Sequence, residues 1–244
     1  MITTIQGSIY QDHEAFSEHS RGRQCAFMSL AALLFNRSNS VDLWKQTNID
    51  DILCHGDCMY LHALTNKMVP DTNSLSVEDL PEVATSQNNF EYCLDFNKFY
   101  QGRIDRSFCG DGPFCSLKQV LINAFSDSSN AMLVLDGYVM AVIQKSDFLY
   151  LFDSHARNSL GIPDENGTAV VLKFSELDEF QNHVETLGHC LNVRIFEIAS
   201  VYMHANVCAA QLSEQSYIHG VETITELSVS GKKHDEQKQA TLAK

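Results

Sequence analysis

Residues 25 to 35 read Cys-Ala-Phe-Met-Ser-Leu-Ala-Ala-Leu-Leu-Phe, a nearly unbroken apolar run of good helix formers without glycine or proline. Such a helix is too short to cross a bilayer, which takes roughly 20 apolar residues. It must therefore be covered by protein on most of its sides. That demands a sizeable core built around the first long helix. The composition allows one: with 44% hydrophobic and 20% charged residues, 244 residues suit one large domain.

The remaining pattern says what surrounds that helix. Residues 1 to 22 are polar and turn-like. Val41 to Lys45 and Ile49 to Leu64 continue in a helical manner, with a break expected around Gly56. Residues 66 to 90, rich in Asn, Asp, Ser and Pro, read as irregular. An amphipathic helix is predicted from about Ser116 to Phe125, with Leu117, Val120, Leu121 and Ala124 on one side. Then the texture changes. Ala131 to Asp136, Tyr138 to Ile143 and Phe148 to Asp153 are short runs of β-formers separated by turn residues, which suits an antiparallel meander. Ala169 to Phe174 predicts a fourth strand, Ser175 to Leu187 a helix and Val193 to Met203 a last strand. A helical front half packed on an antiparallel β-sheet is the α+β class. Residues 206 to 244 are thin in apolar groups and end in a polar run, as expected of a flexible C-terminal tail.

The formal charge of −14 repels phosphate, so neither nucleic acid nor an anionic membrane is an expected partner. A basic protein or peptide segment suits it better. No basic stretch followed by an apolar core opens the chain. The eight cysteines are irregularly spaced, and reduced thiols in an intracellular protein of cytoplasm or nucleus are the expectation. Asn36-Arg37-Ser38 and Asn166-Gly167-Thr168 then match the glycosylation pattern by chance.

One of those cysteines has a setting that suggests chemistry. Cys25 opens the apolar helix behind the turn at Gly22, where the helix dipole and unpaired N–H groups favour a thiolate. Far downstream, Asp153-Ser154-His155 follows a strand, and residues two apart in extended chain share a side. An aspartate beside a histidine can fix its tautomer and stabilise its imidazolium. Each half has a plainer reading: Cys25 as a small buried hydrophobe, and Asp-Ser-His-Ala-Arg-Asn as a loop. Asp111-Gly112-Pro113-Phe114-Cys115 offers a rival nucleophile before the second helix, loosely similar to the Asp-Gly-x-Cys motif of ovarian-tumour-type deubiquitinases but one residue longer. Zinc ligands could come from Cys54-His55-Gly56-Asp57-Cys58, or from Cys109 with Cys115, but the second pair is poorly formed. Cys54 and Cys58 more simply share the inner face of one helix.

Several segments resemble one family. Gln6-Gly7-Ser8-Ile9-Tyr10-Gln11, Phe16 and Ser20-Arg21-Gly22-Arg23-Gln24-Cys25 are similar to the start of the herpesvirus large-tegument-protein cysteine protease family and its non-viral tegument-like relatives. Leu149 to Arg157 resembles its Asp-x-His element, and Asp111 to Phe114, Leu133 to Ile143 and Asn166 to Phe174 add to the likeness, over roughly residues 5 to 203. The resemblance implies a papain-like fold over residues 1 to 205 and removal of ubiquitin or related modifiers by a monomeric thiol hydrolase without cofactor or metal. By the same resemblance, Cys25 is the nucleophile, His155 the general base, Asp153 its orienting carboxylate, and Gln11 the oxyanion donor, with Gln6 a nearby alternative. Asp12 departs from the glycine expected of the non-viral relatives. A catalytically silent ubiquitin-binding module of the same fold, or a general papain-like peptidase, are the alternatives.

Overall fold

A computed structural model describes residues 3–72, 74–104 and 115–205. The expected tail, together with Cys109 and Asp111 to Phe114, lies outside them.

Helix α1 (Cys25–Ser38) buries every residue from Cys25 to Phe35, as an apolar run on all sides requires. Helix α2 (Gln46–Thr65) lies against it, burying Ile49, Ile52, Leu53, Gly56, Tyr60 and Ala63 at helical spacing. Gly56 does not break α2. A Cβ there would sit 2.5 Å from the Met28 Cα, so the glycine is where the two helix backbones touch. Cys54 and Cys58 are exposed, so they share the outer face of α2 and not the inner one.

The strands form one sheet. In chain order they are β1 (Thr3–Gln6), β2 (Val83–Thr85), β3 (Glu91–Arg103), β4 (Asn130–Leu135), β5 (Tyr138–Lys145), β6 (Phe148–Arg157), β7 (Thr168–Phe174) and β8 (Ile195–Ala205). Their spatial order is β1-β7-β6-β5-β4-β8-β3-β2. The meander β4-β5-β6-β7 is antiparallel throughout, and β4 and β5 are joined by the two-residue turn Asp136-Gly137, both at positive φ.

Alternation sorts the sheet's side chains onto two cores. Met132, Val139, Ala141, Ile143, Tyr150, Phe152, Val171 and Val201 pack with α1 and α2. Leu133, Met140, Val142, Leu151, Leu172, Phe196 and Ile198 pack with α3 (Leu117–Ala124) and α4 (Leu177–Leu191). The front helices therefore cover one face, as expected, and the two later helices cover the other. Burial on both faces explains why these strands read as continuous apolar runs.

Three strands extend the sheet beyond the sequence expectation. β1 pairs with β7 at one edge, and β2 and β3 close the other. Among the described residues, no helix is long and apolar enough to cross a membrane.

Candidate active site

The edge strand β1 delivers a loop to the end of the sheet. Gly7 N–H donates to the Ala169 carbonyl at 2.8 Å and Ala169 N–H to the Ile9 carbonyl at 2.9 Å. Gln11 N–H then donates to the Ser154 carbonyl at 2.8 Å, pinning Gln11 beside β6. The chain turns at Gly22, whose φ of +75° favours glycine, and enters α1 at Cys25. Asp12 is not among the residues at positive φ, so the turn beside Gln11 needs no glycine there.

The residue before the cysteine ties this loop together. Gln24 is fully buried, and its Nε2 donates to the Gln11 carbonyl at 2.9 Å while its Oε1 accepts from Arg23 N–H at 2.9 Å. Its side chain makes no capping bond to the helix. The first N–H groups of α1 thus begin without a side-chain cap, at the positive end of the helix dipole.

Cys25, His155 and Gln11 line one cleft of about 440 Å³, with Gly22, Arg23, Gly137 and Tyr138 among its other walls. The Cys25 Sγ lies 3.6 Å from the Gly137 carbonyl oxygen, so the β4–β5 turn forms the rim opposite α1. His155 lies within β6, not beyond its end as the sequence reading had it. Pairing with β7 continues to Arg157 across an irregularity between Asp153 and Arg157. Composition alone cannot show this, because the loop-like Asp-Ser-His-Ala-Arg segment is held extended by its neighbour strand.

Asp153 and His155 do share a side. His155 Nδ1 meets Asp153 Oδ1 at 2.6 Å, and His155 N–H donates to the same oxygen at 3.0 Å. Asp153 is 1% exposed. Burial works against its charge, but Arg157 and then His155 hold it well below the usual carboxylate range. Burial likewise disfavours charge on His155. The Asp153 carboxylate and its hydrogen bond, with the Cys25 sulfur adjacent, outweigh this and push His155 up to about 9. This setting favours the imidazolium form, with the carboxylate on one side of the ring and the sulfur on the other. The Tyr138 ring covers it at 4.9 Å between centroids.

Gln11 is 6% exposed, and its Oε1 accepts from Ser154 Oγ at 3.1 Å, which leaves the amide NH₂ as the donor end. Gln6 is exposed at the end of β1 and does not line the cleft. Cys115 is exposed before α3, bridges Gly102 and does not line the cleft either. Among the described residues, no group of three His, Cys, Asp or Glu side chains is placed to hold a metal ion.

Sequence reasoning missed Gln24, Ser154, Tyr138 and Arg157. For Arg157 a signal existed: Asp153, His155 and Arg157 alternate, so one extended strand presents all three on one side.

A sequence profile described as the herpesvirus tegument protein, N-terminal conserved region, matches residues 6–212. Comparison with curated protein sequences gives no match. Among solved structures, the chain is similar to the ubiquitin-specific protease encoded by murine cytomegalovirus tegument protein M48, crystallised in complex with a ubiquitin-based suicide substrate. The TM-score is 0.66 at 14% identity, covering 87% of this chain and 92% of that one. At that identity the likeness shows the fold, a papain-like arrangement of helices on an antiparallel sheet.

Proposed function

The chain belongs to the herpesvirus tegument protein N-terminal region family, and on that premise we propose that it is a thiol-dependent deubiquitinase. One observation carries the reading: His155, held from behind by a 2.6 Å contact with the buried Asp153, lines the same cleft as Cys25 at the start of α1.

The chemistry follows from these groups. The Cys25 thiolate attacks the carbonyl carbon of ubiquitin's C-terminal glycine, forming the S–C bond while the carbonyl π pair moves to oxygen. Cys25 N–H and the Gln11 amide NH₂ donate to that oxyanion. As the intermediate collapses, the C–N bond breaks and His155 gives its proton to the departing amine. Water then attacks the thioester, His155 takes its proton, and the glycine carboxylate leaves with the thiolate restored. Asp153 keeps Nδ1 protonated and the ring aimed at sulfur throughout.

The acidic surface, −14 overall, suits the arginine-containing tail of ubiquitin. A panel of di-ubiquitins incubated with the purified full chain tests the proposal. Wild type is expected to cleave at least one linkage and Cys25→Ala none. Saturable ubiquitin binding without cleavage would replace the proposal with a silent binding module. Digestion of casein would replace it with a general peptidase.

A further inference from the structure

Beyond the groups that touch substrate, we propose that Arg157 is a positioning residue and the balancing charge of the cysteine site. It fixes the second oxygen of Asp153 and lets thiolate, imidazolium and carboxylate coexist in one buried cluster. The inference rests on the reading of Cys25 as a thiolate nucleophile.

Asp153 has two oxygens, and His155 engages only Oδ1. Arg157 Nε donates to Oδ2 at 2.6 Å, and Arg157 is itself 2% exposed. A buried carboxylate with one unbonded oxygen is costly and free to rotate, so this contact sets the angle at which Oδ1 meets the imidazole. The Tyr138 ring covers both cations, 5.8 Å from the Arg157 guanidinium carbon and 4.9 Å from the His155 ring. From α4, His183 also faces this cluster. Burial pushes it down to about 4, with Asp153 opposing and Arg157 reinforcing the shift, so it stays neutral at working pH.

The buried cluster, once ionised, holds two negative groups, Cys25 and Asp153, and two positive ones, His155 and Arg157, while the exposed Asp12 and Asp136 and the half-buried Arg23 line the solvent side of the same cleft. Deleting Arg157 leaves a net negative charge in a buried cluster. The least costly relief is a proton retained on the Cys25 sulfur. Removing Arg157 should therefore raise the pH at which Cys25 becomes reactive. Lysine restores the charge but not the Nε–H that donates to Oδ2.

The test uses the full chain and iodoacetamide, with alkylation of the Cys25 peptide followed by mass spectrometry. Peptide resolution is needed because Cys54, Cys58, Cys93, Cys115 and Cys190 are exposed. For Arg157→Met the midpoint of the rate–pH profile should move up by about one unit. Arg157→Lys should keep the wild-type midpoint within a few tenths of a unit, yet lower kcat on a ubiquitin–fluorophore conjugate with KM nearly unchanged. A folded Arg157→Met with the wild-type midpoint overturns the proposal. If that variant does not fold, Arg157→Lys decides: a wild-type midpoint with reduced kcat supports the proposal, and an unchanged kcat overturns it. The alkylation profile needs no ubiquitin. A wild type that alkylates normally but cleaves no ubiquitin therefore rejects the substrate, while the role of Arg157 is still read from the midpoints.

Discussion

Replacing Asp153 by asparagine removes the charge that keeps His155 protonated while preserving the side chain's shape. Folded His155 stands at about 9 against an ordinary value of 6.5, a difference worth about 3 kcal/mol to the imidazolium. Without the carboxylate, burial remains as the main influence, and the imidazole falls to 6.5 or below. At pH 8 the wild-type ring is about nine-tenths protonated and the variant ring about one-thirtieth, so the competent ion pair is depleted about 30-fold. At pH 6 both rings are largely protonated and this depletion almost vanishes. Lost orientation adds a further factor that does not vary with pH. Hydrolysis of a ubiquitin–fluorophore conjugate from about pH 6 to 8 should therefore show a wild-type to variant ratio that grows about 20-fold towards the alkaline end. The variant also strands the buried guanidinium of Arg157, so rates are taken well below its melting temperature. A ratio that is large but constant across this range would refute the assignment of Asp153 as the charge that sustains the imidazolium.

Gln11→Ala should lower turnover about 10²–10³-fold with little change in alkylation of Cys25 by a small reagent, since only an oxyanion donor is lost. His155 also ties stability to pH. Its folded value is raised, so its contribution is complete below about 6.5 and is lost as pH rises through about 9. Melting temperatures of wild type should fall across that window, and those of His155→Gln should fall less. Gly56→Ala drives a methyl group into the Met28 backbone, 2.5 Å from its Cα, and should destabilise the chain by about 1–3 kcal/mol in urea titrations.

What could be read from the sequence was whatever short-range pattern controls. The α1 run and the β4-to-β6 meander carry their own periodicity and turns, and the Asp153–His155 juxtaposition follows from strand geometry alone. What depended on distant partners was hidden. β1 is only four residues long and is a strand because β7 lies beside it. β6 runs on through a loop-like sequence because β7 continues to pair with it. Gly56 reads as a helix breaker until Met28 of α1 is placed against it. In β3, Tyr92, Leu94 and Phe96 do alternate towards the α1–α2 core, a visible signal masked by polar neighbours. The site divides in the same way. Cys25 announced itself at the start of its helix, whereas Gln24 and Ser154 gain their roles only once the loop through Gln11 is folded against β6.

The central claim is that Cys25 attacks the C-terminal carbonyl of ubiquitin. Its most direct test is a ubiquitin probe carrying a C-terminal electrophile, incubated with wild type, Cys25→Ala and Cys115→Ala, with the adduct mapped by mass spectrometry. Labelling of wild type and Cys115→Ala on Cys25, and none of Cys25→Ala, is the predicted result. Labelling that survives in Cys25→Ala but is lost in Cys115→Ala would contradict it and move the nucleophile to the exposed cysteine before α3.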